Sequence, residues 1–241
     1  MKTKIIAHRG ASGYAPENTI EAFKKALCMK SDGIELDVHL TKDKKLVVCH
    51  DEKVNRTTNG KGYIKDFNLK ELKKLDAGSW FNKKFKNETI PTLNEVLELI
   101  KDKNIFLNIE LKNNIIFYEN IEKKVIDTIK KYNIKNCIIS SFNHYSLLKV
   151  KKIDSNIKTG ILYFSNLVDP FNYALKLEAF SIHPSYNNVN FNLIKESINK
   201  NIKINTFTVN DKDKMKFLKS KVDGIITNYP DIAKDIMKST L

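Results

Sequence analysis

With 241 residues, 41% of them hydrophobic, the chain is long enough to bury a self-sufficient core. Its formal charge of +14 would suit an anionic partner, but only Arg9 and Arg56 of its 42 basic residues are arginine and the lysines are scattered, so a solvated lysine-rich surface is expected rather than a nucleic-acid face. Cys28, Cys49 and Cys137 are odd in number without CxxC spacing, no apolar run precedes His8 and no stretch approaches the ~18 apolar residues of a membrane span, so reduced thiols in a soluble, cytoplasmic protein are expected, with no nucleic-acid partner and no stable membrane insertion.

The first β-rich run, residues 4–7, leads into His8-Arg9-Gly10. An imidazole at a strand end suits general acid–base work, because its neutral form accepts a proton and its charged form gives one. Arg9 offers a planar fork that clamps phosphate through two bonds, and Gly10 lets the backbone approach closely. The scarcity of arginine lends that reading weight; pairing of Arg9 with Glu17 is the alternative, and the two roles can coexist. Pro16-Glu17-Asn18-Thr19 then opens a helix over 19–29, where Asn18 with Glu21 resembles a capping box and Thr19 is the other candidate cap.

The second strand, 33–38, carries the strongest signal. Side chains alternate along a strand, so Glu35, Asp37 and His39 share one face while Ile34, Leu36 and Val38 share the other. If the apolar set packs on helices, two carboxylates point inward a few ångströms apart. Their repulsion is costly unless a cation or proton intervenes, and hard oxygen ligands suit Ca²⁺ or Mg²⁺. His39 is read as capping the rim of that site rather than as a ligand.

A further β-rich run, 45–49, ends at His50-Asp51, and His50 becomes the second candidate acid–base imidazole. Residues 50–90 then break the rhythm, with Gly60, Gly62 and Gly78 and a short helical stretch over 69–75. Long loops in compact domains are usually functional, so this segment is expected as an insertion on the upper rim. Trp80, the one tryptophan, is expected to pack inside it.

After a helix over 93–101, the third strand, 105–111, repeats the device. Asn108, Glu110 and Lys112 share a face. Alone, Glu110 and Lys112 would be a structural ion pair; beside Glu35 and Asp37, Glu110 becomes a third ligand. Helices over 118–132, 145–153, 190–199, 212–218 and 232–237, with a weaker pattern over 169–177, alternate with strands at 137–140, 159–164, 180–182, 203–209 and 224–227. His144 opens a helix and reads as surface. His183-Pro184 follows the sixth strand, where a turn and a site are equally consistent. Thr227 and Asn228 end the last strand as secondary phosphate binders.

Eight strands alternating with helices argue for parallel pairing with right-handed crossovers, and eight strands close a barrel whose interior side chains fill. The expected fold is therefore α/β: a (β/α)₈ TIM barrel, one domain over 1–241 with the 50–90 insertion after its second strand. A doubly wound open sheet is the competing architecture.

The ordered set His8-Arg9-Gly10, Pro16-Glu17-Asn18-Thr19, Glu35-Leu36-Asp37-Val38, Leu40-Thr41-Lys42-Asp43, His50-Asp51, Arg56-Thr57-Thr58, Ile90-Pro91-Thr92-Leu93, Ile109-Glu110-Leu111-Lys112 and Asp223-Gly224-Ile225-Ile226-Thr227-Asn228 resembles the glycerophosphodiester phosphodiesterase family across nearly the whole chain. The resemblance implies one divalent cation and hydrolysis of a small glycerophosphodiester to sn-glycerol 3-phosphate and an alcohol. By position it implies His8 and His50 as catalytic groups, Arg9 as phosphate binder, Lys112 as a basic active-site group, and Glu35, Asp37 and Glu110 as metal ligands. One departure is visible: where many members have Trp-Thr-Val-Asn, this chain has Phe207-Thr208-Val209-Asn210. Phe207 keeps an aromatic wall for substrate without the indole N–H.

Two other readings remain. The same site could cleave lysophospholipids in phospholipase D fashion, which needs an apolar groove. A non-catalytic binder of phosphorylated ligands would instead show steep salt dependence and indifference to chelator. The sequence specifies no oligomeric state, and leaves the alcohol and the choice of metal open.

Overall fold

In β2, at Gly33–Leu40, every residue is buried, as a strand covered on both faces requires. The structure, a computed structural model, describes residues 2–239. Its first half contains β1 (Lys4–His8), α1 (Ile20–Cys28), β2, β3 (Leu46–Val48), α2 (Leu69–Leu72), α3 (Leu93–Ile100), β4 (Phe106–Leu111), α4 (Ile121–Lys131) and β5 (Cys137–Ser141). The second half continues with α5 (His144–Ile153), β6 (Lys158–Tyr163), α6 (Pro170–Lys176), β7 (Ser181–Pro184), α7 (Phe191–Lys200), β8 (Lys203–Thr206), α8 (Lys212–Leu218), β9 (Gly224–Thr227) and α9 (Pro230–Lys238).

All these strands except β3 are parallel, in the order β1-β9-β8-β7-β6-β5-β4-β2, and β1 also pairs with β2. The sheet thus closes on itself as the expected (β/α)₈ barrel, and the open-sheet alternative is set aside. β3 is antiparallel to β2, with Val48 opposite Val38, and extends β2 instead of forming a stave. It delivers His50 to the rim.

The alternation along β2 resolves as its sequence dictates. Ile34, Leu36 and Val38 join the main core beneath the helices with Phe23, Val96 and Leu97. Inside the barrel, Ile6, Phe106, Ile138 and Ile226 form a separate apolar plug. Ile6 lies two residues before His8, and Phe106 four before Glu110, so on the shared strand faces the polar residues stand above this plug. The plug closes the barrel below the site and keeps its floor dry.

Helix α3 shows why such segments become helices. Thr92 caps the Glu95 amide while Glu95 returns a carboxylate to the Thr92 N–H at 2.7 Å, and Leu93, Val96, Leu97 and Ile100 bury one stripe. The weakly patterned segment over 169–177 also folds, as α6, because Asp169 caps the Asn172 amide and Pro170 occupies the first turn. At α1, Thr19 is the cap and accepts from Ala22; Asn18 lies at φ 58° outside the helix with its amide turned elsewhere. The strand expected over 203–209 ends at Thr206, although Phe207 and Val209 still donate to the carbonyls of Pro184 and Ile226.

Residues 50–90 contain α2 and two single-turn 3₁₀ segments, Ile64–Asp66 and Lys83–Phe85. Val47, Cys49, Val54, Ile64, Leu72, Ala77 and Ile90 give this region a satellite core. Trp80 is excluded from it, contrary to expectation. That core is filled by small and aliphatic groups, so the indole stays 40% exposed against the edge of Phe81 and donates to the Ala77 carbonyl. Cys49 and Cys137 are buried and Cys28 is exposed, all as free thiols. No helix among the described residues is long and apolar enough to cross a membrane.

Candidate active site

β2 and β4 lie side by side with Asp37 beside Glu110, and β1 places His8 beside Glu35. Glu35, Asp37 and Glu110 are each at most 8% exposed, and one oxygen from each lies within 4.8 Å of the others. Two oxygens bound to one Ca²⁺ at about 2.3–2.6 Å can stand no more than about 5 Å apart, so the three carboxylates fit a single cation. Charge agrees: three carboxylates face two fixed cations, Arg9 and Lys112, leaving one negative charge in excess. Moreover, the buried Oδ1 of Asp37 has no hydrogen-bond partner, with the Lys112 Nζ 3.8 Å away. A hard cation would satisfy it.

The three carboxyls have different environments. Burial, then the charges of Asp37 and Glu110, push Glu35 well above the usual carboxylate range. Burial also raises Glu110, only partly offset by Lys112. For Asp37 burial acts upward too, but Lys112 and then Arg9 outweigh it and hold the carboxyl well below the ordinary value. The cluster without a cation therefore holds a proton most readily on Glu35.

Each imidazole is fixed at one nitrogen. His8 Nδ1 lies 2.7 Å from the Asn228 Oδ1, an acceptor, so Nδ1 carries the hydrogen and Nε2 presents a lone pair. Burial first, then the Arg9 charge, depress the His8 pKa to about 3 and keep the ring neutral. His50 Nδ1 donates to the Asp51 Oδ1 at 2.7 Å. Neither Nε2 has a hydrogen-bond partner among the described residues.

Arg9 occupies the left-handed region at φ 55°, a conformation costing about 1–3 kcal/mol for such a residue. It is pinned by its own N–H donating to the Glu35 Oε2 at 2.9 Å and its carbonyl accepting from the Asn18 N–H. Gly10 follows at φ 80°, where a Cβ would lie 2.6 Å from the Ala22 backbone; only glycine fits. The Arg9 guanidinium meets Glu17 at 2.8 Å and Asp37 at 3.5 Å. Its pairing with Glu17 is thus real and leaves NH2 without a hydrogen-bond partner among the described residues. Lys112 likewise pairs with Glu110 at 2.9 Å while reaching toward Asp37.

The remaining candidates separate. Phe207 sits at the barrel mouth, 5.5 Å from Phe164 and 6.0 Å from Phe142 between ring centroids, so it belongs to an aromatic wall of three rings. His39 is fully buried, between the Tyr118 hydroxyl and the His50 carbonyl, with its pKa depressed to about 4 chiefly by burial; it holds the His50 backbone. His183 is part of β7 and fully buried against Ser181 and Asn205, an interior residue rather than a turn. His144 is half-buried, contrary to the surface reading, because Tyr173 and the Leu162 carbonyl engage both its nitrogens. Thr227 is buried and accepts from the Tyr229 N–H, whereas Asn228 orients His8.

Three residues of the site were not assigned a role from sequence. Asn18 is buried and donates to the Asp37 Oδ2 at 2.8 Å; its place in a capping-like tetrapeptide hid that role. Asp51 was visible only as the neighbour of His50. Arg56 pairs with both Asp51 and Glu17, and its one signal was its being one of two arginines. A surface hollow of about 500 Å³ near Ile198, Lys221 and Asp223, at the N-terminal end of the barrel, gathers no comparable set of charges.

Known proteins resemble this chain over nearly its whole length. Residues 8–232 match the glycerophosphoryl diester phosphodiesterase family. The chain is 52% identical over 240 residues to a glycerophosphodiester phosphodiesterase of Caldanaerobacter subterraneus subsp. tengcongensis, covering 99% of both chains. It is 36% identical to one of Bacillus subtilis, over 97% of this chain and 86% of that one. Among solved structures, an Oleispira antarctica phosphodiesterase in complex with the product sn-glycerol-3-phosphate superposes with a TM-score of 0.89 at 30% identity, over 99% of this chain and 98% of that one.

Proposed function

The chain belongs to the glycerophosphoryl diester phosphodiesterase family and is a phosphoric diester hydrolase; from that premise we propose that it releases sn-glycerol 3-phosphate by metal-dependent catalysis between His8 and His50. The observation that carries this reading is the buried Glu35–Asp37–Glu110 cluster within 4.8 Å, flanked by two cations and two half-free imidazoles. A bound divalent cation, Ca²⁺ or Mg²⁺, would supply positive charge to the phosphate oxygens and lower the proton affinity of a nearby hydroxyl.

The side chains divide the remaining work. Arg9 and Lys112 bind phosphate oxygens, and Asn18 and Glu17 hold Asp37 and Arg9 in place for them. His8, neutral with Nε2 unpartnered, takes the proton from the glycerol 2-hydroxyl as that oxygen forms its bond to phosphorus. The bond from phosphorus to the alcohol oxygen breaks, and His50 delivers a proton to the leaving oxygen. Water then opens the cyclic phosphate with the two histidines exchanging roles. Phe207 lines the mouth where the alcohol departs.

The test measures sn-glycerol 3-phosphate released from several glycerophosphodiesters, with EDTA and with metal restored. Turnover should vanish with EDTA and return with Ca²⁺ or Mg²⁺; full activity in chelator rejects the metal role. A second reading, cleavage of lysophospholipids, gains support from one observation. Phe164, Ile115, Phe117 and Val168, on loops after β4 and β6, are 65–97% exposed and offer apolar surface beside the mouth. Comparing glycerophosphocholine with lysophosphatidylcholine separates the two.

A further inference from the structure

Arg56 lies outside the barrel, in the insertion, and touches neither the carboxylate cluster nor an imidazole. It is 43% exposed at its side chain. Exposed ion pairs usually contribute little, unless their geometry is bidentate or they form a network. Both conditions hold here. Its Nε and NH2 meet the two oxygens of Asp51 at 2.8 and 2.9 Å, and its NH1 and NH2 meet the two oxygens of Glu17 at 2.8 Å each. One planar fork thus fixes two carboxylates, each through two bonds, which fixes their orientation as well as their distance.

Each carboxylate passes that constraint to a different active group. The Asp51 Oδ1 also accepts from His50 Nδ1 at 2.7 Å, and the Glu17 Oε1 also accepts from Arg9 NH1 at 2.8 Å. The backbones of Arg9, after β1, and His50, after β3, are held by Glu35, Asn18 and His39, but among the described residues this bridge is the one hydrogen-bonded link between the His50 imidazole and the Arg9 guanidinium. Lysine could not substitute, because its ammonium is a point charge without a fork.

We propose that Arg56 is a positioning residue, which ties the imidazole of His50 to the phosphate-binding Arg9 through Asp51 and Glu17. This rests on the reading of His50 and Arg9 given above. Misplacing a reacting group by about 1 Å can cost ~10²-fold in rate. Substituting Arg56 therefore lowers kcat by about 10²-fold on diesters of alkyl alcohols, with bound metal and melting temperature nearly unchanged. A p-nitrophenyl ester of glycerol 3-phosphate, whose leaving group hardly needs a proton, loses much less if the Asp51 arm acts through His50.

The experiment compares wild type, Arg56→Lys, Arg56→Ala and His50→Ala, all as full-length metal-loaded protein, on glycerophosphocholine and on the p-nitrophenyl ester. Guanidinium ion is added to Arg56→Ala, since the exposed site admits it, with ammonium as control. Expected are a large alkyl-over-aryl loss in both Arg56 variants, rescue by guanidinium and not by ammonium, and loss of the downfield Nδ1–H proton signal of His50. The proposal is overturned by a wild-type-like Arg56→Lys, by equal losses on both substrates without rescue, or by losses that track a fallen melting temperature in both variants. A wild type inactive on all diesters would instead sink the function itself. Wild-type behaviour of Arg56 variants beside a dead His50→Ala sinks only this inference.

Discussion

The barrel mouth has two unlike halves. On the side built by β1, β2, β4 and the start of the insertion, a chain of charge-assisted contacts runs from His50 through Asp51, Arg56, Glu17 and Arg9 to Asp37, Lys112 and Glu110. Across the opening, after β5, β6 and β8, stand Phe142, Phe164 and Phe207, joined only by ring contacts. The first half is directional and over-determined, with most groups held by two or more partners. The second is non-directional, and its Phe164 is 67% exposed. The contrast matches what the proposed reaction would ask of each half. Charge developing at phosphorus must be met at fixed positions, whereas an alcohol of varied shape needs only a surface.

Breaking the charged half should give the largest effects. Asp37→Asn removes one of the three carboxylates proposed to hold the cation and at once deprives Arg9 and Lys112 of a counter-charge. A cation worth several kcal/mol and a misplaced arginine combine to a loss beyond ~10⁴-fold. Calorimetric titration with Ca²⁺ should show the loss of metal binding, and retained tight binding would remove Asp37 from the ligand set. His50→Ala should cost about 10²–10⁴-fold while metal binding stays nearly intact. Turnover close to wild type would reject His50 as a catalyst.

A stability measurement sharpens the same half. With metal stripped, the Glu35 pKa is raised by burial and by its two carboxylate neighbours. The unfolded chain loses that proton at the ordinary glutamate value, near 4.3. Between the two values the folded state binds more protons than the unfolded one, so stability, full below the unfolded value, is lost as pH rises through the folded one. The melting temperature in EDTA should therefore fall as pH rises above the ordinary glutamate value, and Ca²⁺ should flatten the curve. Glu35→Gln should be more stable than wild type in EDTA at alkaline pH. A wild type equally stable with and without metal at that pH contradicts the repulsion assigned here.

The sequence disclosed these halves unequally, for physical reasons. Strand alternation alone put Glu35, Asp37, Glu110 and Lys112 on inward faces, because a period of two leaves no freedom once Ile34, Leu36 and Val38 need the core. The barrel followed from the count of β-rich runs. What stayed hidden depends on backbone turns and contacts distant in sequence. Asn18 resembles a cap, and only its left-handed backbone turns the amide toward Asp37. Arg56 reaches Glu17 across 39 residues of chain. Trp80 stays outside the insertion's core because hydrophobicity does not say whether a small core has room for an indole.

The smallest expected effect tests the aromatic half alone. Phe164 stacks on Phe142 at 4.8 Å with planes 13° apart and meets Phe207 edge-on, yet no charged group of the site contacts it through a hydrogen bond or ion pair. Such aromatic contacts are worth about 0.5–1.5 kcal/mol, a factor of roughly 2–10 in an equilibrium constant. Phe164→Ser should raise KM by that factor for diesters whose alcohol is apolar, leave it unchanged for glycerophosphoglycerol, and spare kcat on both. A change in KM alone is the mark of binding shared equally by ground and transition states. Were kcat to fall instead, the wall would be helping to place the reacting atoms, and the division of the mouth into a half that catalyses and a half that merely receives would be lost.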